Sequence, residues 1–244
     1  MSTVSVVTIT QYKRRSALRL LYECIKRQTR KPDEWVIVEG SPLKEDADSN
    51  AEQIHSLRDS SEIRIVYIPF EPDTKLGGLR NRGNKACMGD ITVCMDDDDY
   101  YPSTRIEHVL SQMERFPDVL IAGCSNMLLY DFGTHTFYQC TGYHKNHSTN
   151  NAMAWRKKYL ENHEHDMTRS YGEESSFTNN FTEPMIQLLP THTVITSSHT
   201  SNTFDKRELI KNNPKFRLLP TSSLFTMMTA PQFHDYEFLY RVSR

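Results

Sequence analysis

Short apolar runs alternate with amphipathic stretches along the first hundred residues. Val4-Ser-Val-Val-Thr-Ile9 is β-branched and apolar, the composition that a strand buried on both faces requires. Leu18, Leu21, Tyr22 and Ile25 then recur at helical spacing, and the pattern stops before Pro32. Trp35 to Val38 reads as a second strand ending at Glu39-Gly40-Ser41, followed by a polar stretch with a weak helix around Ala51 to Leu57. Ile63 to Ile68 is a third strand, ended by Pro69. Gly77 to Met88 predicts a helix opened by a Gly-Gly turn, and Ile91 to Met95 a fourth strand. Thr104 and Glu107, just after Pro102, have the spacing of a capping box, with Ile106, Val109, Leu110 and Met113 as a buried stripe. This alternation predicts an α/β fold, a twisted and mostly parallel sheet with helices on both faces. Such sheets bind ligands at the carboxyl ends of their strands. Glu39, the residues after Ile9, and an acidic run after Met95 all fall at such ends.

The second half is less regular. Val119 to Ala122 reads as a strand, and Met127 to Phe132 with Thr136 to Cys140 as a hairpin around Gly133. Trp155 to Asn162 and Glu173 to Phe181 read as helices, Val194 to Ser197 as a strand and Phe204 to Asn212 as a helix. From Pro214 to Arg244 no strong period emerges, so this tail is expected to pack on the body or to be partly mobile.

The acidic run changes the picture from fold to chemistry. Asp96, Asp97, Asp98 and Asp99 are four adjacent carboxylates at the exit of an apolar strand. Like charges so placed repel, and a cation that neutralises them gives the arrangement a purpose. Hard divalent ions, Mg²⁺ or Mn²⁺, prefer carboxylate oxygens and keep open positions for phosphates. A solvated acidic turn is the alternative.

Composition narrows the partners. The chain has 244 residues and a formal net charge of −2, so no polyanion-binding face is announced and no nucleic acid is expected. Lys13, Arg14, Arg15, Lys26, Arg27, Arg30 and Lys31 cluster beside apolar positions at helical spacing, as a solvated helix face would. The five cysteines form no CxxC pair, and Cys94 lies in an apolar strand, which suits reduced thiols in a cytoplasmic setting. No signal peptide is visible, and no apolar run approaches the roughly 18 residues that span a bilayer, so a soluble protein without a transmembrane segment is expected.

Five segments together resemble a known family. Thr8-Ile-Thr-Gln-Tyr-Lys-Arg14, Val36-Ile-Val-Glu-Gly-Ser41, Gly78-Leu-Arg-Asn-Arg-Gly83, Met95-Asp-Asp-Asp-Asp-Tyr-Tyr-Pro102 and Tyr171-Gly-Glu-Glu-Ser-Ser-Phe177 look, in this order and spacing, like the motifs of family 2 glycosyltransferases with the GT-A fold. The likeness runs over residues 3 to 212. The opening motif and the segment His199 to Thr203 are also similar to glycosyltransferases of large DNA viruses, for which the location would be the host cytoplasm.

The resemblance implies a metal-dependent inverting transfer of a sugar from a nucleoside-diphosphate donor, UDP-linked in the first instance, to a hydroxyl of a glycan or glycoprotein. It implies one domain over 1–213, with a nucleotide-binding half 1–102 and an acceptor and base half 103–213, and an extension over 214–244. The Asp-x-Asp motif falls on Asp96-Asp97-Asp98, with Asp98 as direct ligand of Mn²⁺ or Mg²⁺ and Asp96 and Asp97 orienting ribose, metal-bound water or donor sugar; four adjacent acids leave the register open by one. Glu39 stands where the family has an Asp on the uracil or ribose, which leaves the base preference open. Thr10, Gln11 and Tyr12 would flank the base, Arg80 would reach base or diphosphate, and Lys75 is a weaker phosphate candidate. Arg82 reads as a helix-surface charge.

The catalytic base would come from Glu173-Glu174, with Glu174 at the matching position and Glu173 in reserve. The alternative for either is an acid that complements a helix N-terminus. His199 would complete the metal site, whereas His163 and His165 read as surface residues. Asn150, Asn151 and Trp155 lie where the family contacts donor sugar and acceptor, although Trp155 suits a core equally well. Two other classes compete. A sugar-phosphate nucleotidyltransferase would show a Gly-rich loop after the first strand, and Gln11-Tyr-Lys-Arg14 has no glycine. A non-catalytic carbohydrate-binding module would leave the acidic clusters without a purpose.

Overall fold

A computed structural model describes residues 2–200, 202, 205–211 and 213–242. The α/β architecture follows the hydrophobic pattern. Strands β1 (Val4–Thr10), β2 (Glu34–Glu39) and β3 (Arg64–Ile68) alternate with helices α1 (Arg15–Lys26), α2 (Lys44–Asp59) and α3 (Leu76–Ala86), ahead of β4 (Ile91–Cys94) and α4 (Arg105–Arg115). Next come β5 (Ile121–Gly123), the hairpin β6 (Leu128–Asp131) and β7 (Thr136–Cys140), and β8 (Ala154–Arg156). The chain ends with α5 (Glu174–Phe177), β9 (Met185–Gln187), β10 (Ile195–Ser198), α6 (Lys206–Ile210), β11 (Phe216–Leu219) and α7 (Ala230–Val242).

A seven-stranded sheet runs β3-β2-β1-β4-β8-β5-β9 and a four-stranded one β10-β6-β7-β11. In the larger sheet only β8 opposes its neighbours, lying antiparallel between β4 and β5. All residues of β1, β2 and β4 are buried, as strands covered on both faces must be.

Hydrogen bonds among side chains tie the strands that carry the site. Trp35 Nε1 donates to Thr8 Oγ1 at 2.9 Å, and Thr8 Oγ1 donates to the Met95 carbonyl at 2.7 Å, so β2, β1 and the exit of β4 are linked in series. The same indole stacks on Tyr22 of α1 with ring centroids 5.9 Å apart. Ala17, Leu18, Leu21, Cys24 and Ile25 complete the buried face of α1. Helix α3 approaches the sheet closely at Gly83, where a Cβ would sit 2.7 Å from Val7 Cγ2. At its other end, a Cβ on Gly77 would fall 2.0 Å from the Asp166 carbonyl oxygen, so glycine there lets the 166–172 loop lie against the helix.

Several expectations are corrected. The Gly-Gly pair lies inside α3 rather than opening it, and α2 is longer than the weak helix read at Ala51 to Leu57. Thr104 and Glu107 make no capping box: Thr104 Oγ1 pairs with His192 Nδ1 at 2.7 Å, and Glu107 accepts from Thr29 Oγ1 at 2.7 Å. Trp155 sits in β8, because two flanking strands satisfy its backbone, and only Lys157–Glu161 turns as a 3-10 helix. Helix α5 stops at Phe177, and Asn179, Asn180 and Phe181 follow with positive φ. Phe204 and Asn212, the ends of another expected helix, lie outside the described residues, as do Ser201 and Thr203. The tail forms β11, antiparallel to β7, and α7, whose Tyr236 hydroxyl lies 3.6 Å from Cys24 Sγ of α1. All five cysteines are free and buried.

Candidate active site

The exits of β1, β2 and β4 open onto a cavity of about 860 Å³. Gln11 and Arg14 line it from β1, Gly40 and Ser41 from β2, Arg80 from α3, and Asp96, Asp98 and Asp99 from β4. Asn150, Asn151, Glu173, Glu174, Asn202 and Lys206 also line it, as do Phe70, Thr74 and Lys75.

The four aspartates occupy four environments. Asp96 faces Arg80, with Nη1 to Oδ1 at 3.1 Å and Nη2 to Oδ2 at 3.3 Å. Asp97 is fully buried, accepting from Thr10 Oγ1 at 2.9 Å and Arg14 Nη1 at 3.1 Å. Asp99 accepts from Asn151 Nδ2 at 2.5 Å and from the Ser197 N–H at 2.8 Å, with Lys206 Nζ 4.0 Å away. Burial, with repulsion from Asp98, pushes Asp97 and Asp99 up to about 7. Burial would raise Asp98 too, but Arg14, His199 and Lys206 outweigh it and hold that carboxylate well below its usual range. Asp98 therefore stays anionic more readily than Asp97 or Asp99.

Asp98 and His199 present a pair of facing acceptors. His199 Nε2 lies 3.4 Å from Asp98 Oδ2, and the Asn202 amide donates to both, at 2.9 Å and 3.1 Å. The amide orientation is fixed by its oxygen, which accepts from the His199 backbone N–H at 2.8 Å. Burial lowers the His199 pKa against the pull of Asp98, favouring the neutral ring. One carboxylate oxygen and one imidazole nitrogen, held together by a single small donor, form a donor pair that a divalent cation fits. Asp96 is not brought to this pair, since its carboxylate is taken by Arg80. Among the described residues no three His, Cys, Asp or Glu side chains converge as a metal cluster.

The two glutamates differ. Arg80 Nε donates to Glu173 Oε1 at 2.6 Å, and the Asn150 amide lies 3.5 Å from the same oxygen. Glu174 has no ion pair among the described residues, and burial together with the Glu173 charge pushes its carboxyl up to about 7. Glu173 stands at the N-terminus of α5, but its side chain makes no capping bond and turns to Arg80 instead.

Other expected residues lie behind the cavity wall. Glu39 is fully buried and spends its carboxylate on the Ser41 N–H at 2.8 Å, the Asn50 amide at 2.8 Å and the Tyr67 hydroxyl at 3.0 Å. It shapes the Gly40-Ser41 turn rather than facing the cavity. Thr10 likewise supports Asp97, and the Tyr12 N–H binds Ser41 Oγ at 2.8 Å while Arg15 lies over its ring at 4.5 Å. Asn151 reaches the cavity with its amide nitrogen committed to Asp99 and Thr196. Trp155 is core, edge-on to Phe177 at 4.9 Å. His165 is buried, stacked on Phe177 at 4.1 Å and bonded to Asn150, and His163 stacks on Tyr159 at 3.9 Å; neither is a plain surface histidine. Arg82 pairs with Glu71 near the surface, as expected.

Arg14 is the residue the charge pattern misread. Its guanidinium lies 3.1 Å from Asp97 and 3.4 Å from Asp98 with only 15% of the side chain exposed, so it is no solvated helix charge. Its position four residues beyond Thr10, at a strand exit, is the signal that separates it from Lys13 and Arg15. Asn202 and Lys206 carry no such signal, because neither stands at the exit of an expected strand of the first half.

A family model described as glycosyl transferase family 2 matches residues 5–169. The chain belongs to this family. Relatives include the amylovoran biosynthesis glycosyltransferase AmsE of Erwinia amylovora, 30% identical over 103 residues, or 42% of this chain and 37% of that one. The uncharacterized glycosyltransferase YwdF of Bacillus subtilis (strain 168) is 33% identical over 111 residues, 46% of this chain and 38% of that one. The matched stretches thus span less than two-fifths of either relative's length. Among solved structures, residues 1–349 of S. aureus TarS with UDP-GlcNAc superpose with a TM-score of 0.61 at 13% identity, covering 82% of this chain and 60% of that one. The mannosyltransferase PcManGT from Pyrobaculum calidifontis, in complex with GDP-Man and Mn²⁺, superposes with a TM-score of 0.61 at 12% identity, covering 98% and 70%. These likenesses establish the GT-A fold. Glu173, Glu174 and His199 lie beyond the segment that the family 2 model matches.

Proposed function

We propose that this chain is a divalent-cation-dependent, inverting glycosyltransferase that moves a sugar from a nucleoside-diphosphate donor to a hydroxyl of a glycan or glycoprotein. The observation that carries the reading is the pairing, across one cavity, of a cationic and metal-competent wall with a carboxyl whose pKa is pushed to about 7. Family membership and the UDP-GlcNAc and GDP-Man complexes of the structural relatives support a nucleotide-sugar donor.

In this reading Asp98 and His199 would hold Mn²⁺ or Mg²⁺, leaving the ion open to oxygen ligands of the donor. The bound ion would act as a Lewis acid for the departing nucleoside diphosphate. Arg14, Lys206 and Lys75 line the same cavity and add positive charge to it, where negative charge develops as the sugar leaves. Arg80 is saturated by Asp96 and Glu173, so its part is to keep both acids fixed. Glu174 takes the proton of the acceptor hydroxyl, with a pKa close to neutral pH as general-base catalysis favours. The acceptor oxygen, as it loses that proton, bonds to the anomeric carbon from the side opposite the diphosphate while the bond from that carbon to the diphosphate oxygen breaks, which gives inversion. Gln11, Gly40 and Ser41 frame the place for the base, with Glu39 holding that turn from behind.

The test is a thermal-shift panel of UDP- and GDP-sugars, each with and without Mn²⁺. A ligand that binds only the folded state raises the unfolding temperature. The reading requires a nucleotide sugar whose shift depends on Mn²⁺ and disappears in Asp98→Asn; a shift indifferent to both would overturn the cation assignment.

A further inference from the structure

The two candidate cation ligands share one support, and it comes from the last helix of the chain. Tyr240 of α7 donates its hydroxyl to the Asp98 carbonyl at 2.7 Å. The same ring stacks on the His199 imidazole, with centroids 4.0 Å apart and planes 11° from parallel. On its other side it packs against Phe132, centroids 4.7 Å apart, so the ring is wedged and only 6% exposed. One turn earlier, Tyr236 donates to the Asp99 carbonyl at 3.0 Å. Tyrosines spaced i, i+4 lie on one helix face, so α7 grips consecutive carbonyls of the acidic run.

We propose that Tyr240 is a positioning residue for the cation and diphosphate site, setting the Asp98 backbone and the His199 ring plane together and so making the docked α7 a component of that site. The inference rests on the assignment of Asp98 and His199 as cation ligands. Outer partners that orient ligands normally control metal affinity. Here one side chain addresses both ligands, by a hydrogen bond to one and by ring contact to the other. It also lies far beyond residue 169, where the family match ends.

The experiment measures Mn²⁺ affinity directly, by loss of the free-Mn²⁺ electron paramagnetic resonance signal, on the full chain with UDP present. Tyr240→Phe keeps the ring and removes the hydroxyl; Tyr240→Leu removes both. Tyr100→Phe is the matched control, since its hydroxyl binds the Met227 carbonyl at 2.8 Å and helps seat the start of α7 without touching either ligand. We expect Tyr240→Phe to weaken Mn²⁺ binding about ten-fold. Tyr240→Leu weakens it further, and Tyr100→Phe leaves it unchanged at a comparable loss of unfolding temperature. If Tyr240→Leu does not fold, Tyr240→Phe against Tyr100→Phe decides alone. Equal weakening in both hydroxyl variants would mean that general docking of the helix matters and not Tyr240, overturning the proposal. Undiminished affinity in Tyr240→Phe overturns it as well. No Mn²⁺ binding by the unaltered chain would instead remove the ligand assignment, and this proposal with it.

Discussion

Arg80 donates to Glu173 at 2.6 Å, and the next residue, Glu174, has no cation to pair with among the described residues. Adjacent glutamates are thereby divided into a buried anion that holds the wall and a carboxyl able to exchange a proton. Glu174→Gln is expected to keep nucleotide-sugar binding while turnover falls by about 10²–10⁴-fold. Glu173→Ala removes one partner of a buried ion pair and should cost about 3–5 kcal/mol of stability. Steady-state rates and urea unfolding separate the two, and the assignment is wrong if Glu173→Gln abolishes turnover while Glu174→Gln does not.

The raised Glu174 pKa gives two pH dependences of opposite sense. As a base the residue must be ionised, so kcat should rise with pH through about 7 and level off above it. For stability, the folded chain retains between the ordinary glutamate range and about 7 a proton that the unfolded chain has released. Stability from this group therefore falls as pH rises through that window. Glu174→Gln should be more resistant to urea than the unaltered chain at pH 8 and show no such advantage at pH 4.

Arg14 neutralises two buried acids at once. Arg14→Ala is expected to lose about 3–5 kcal/mol at pH 8, the cost of stranding buried charge. The deficit should shrink at pH 5, where Asp97, already up to about 7 in the intact protein, takes a proton. Urea midpoints at the two pH values check this, and a deficit that does not change with pH would contradict it.

Gly77 admits the Asp166 carbonyl where any side chain would collide. Gly77→Ala should destabilise by about 1–3 kcal/mol through forced backbone displacement. It should also loosen the 166–172 loop leading into Glu173, seen as faster proteolysis of that loop. A variant with unchanged cleavage would show that the loop does not depend on this contact.

The chain's physics made some parts of this site easier to read than others. Strands β1, β2 and β4 are apolar because both faces are covered, and their exits locate Asp96 to Asp99 without further information. Roles within the run were harder, because they depend on which cation each acid meets: Arg80 for Asp96, Arg14 for Asp97 and Asp98, and the more distant Lys206 for Asp99. Those three cations come from three different segments, and periodicity says nothing about pairings of that kind. Glu39 was correctly sited at a strand exit but misjudged in direction, since Asn50 and Tyr67, which draw it inward, come from later elements. Strand β8 read as helix because its backbone is satisfied by β4 and β5, and not by its own neighbours. Tyr236 and Tyr240 have helical spacing but no apolar stripe strong enough to announce α7.

The antiparallel insertion of β8 between β4 and β5 has a mechanical consequence. Strand β8 pairs with β4, from before the acidic run, on one edge and with β5, from after it, on the other, so the two halves of the chain meet along the β4–β8 ladder and neither keeps that edge covered if the other leaves. Heating should therefore melt the molecule in a single transition. A chain severed after Pro102 would present an open β4 edge, prone to aggregate unless the remaining piece is supplied alongside to close it.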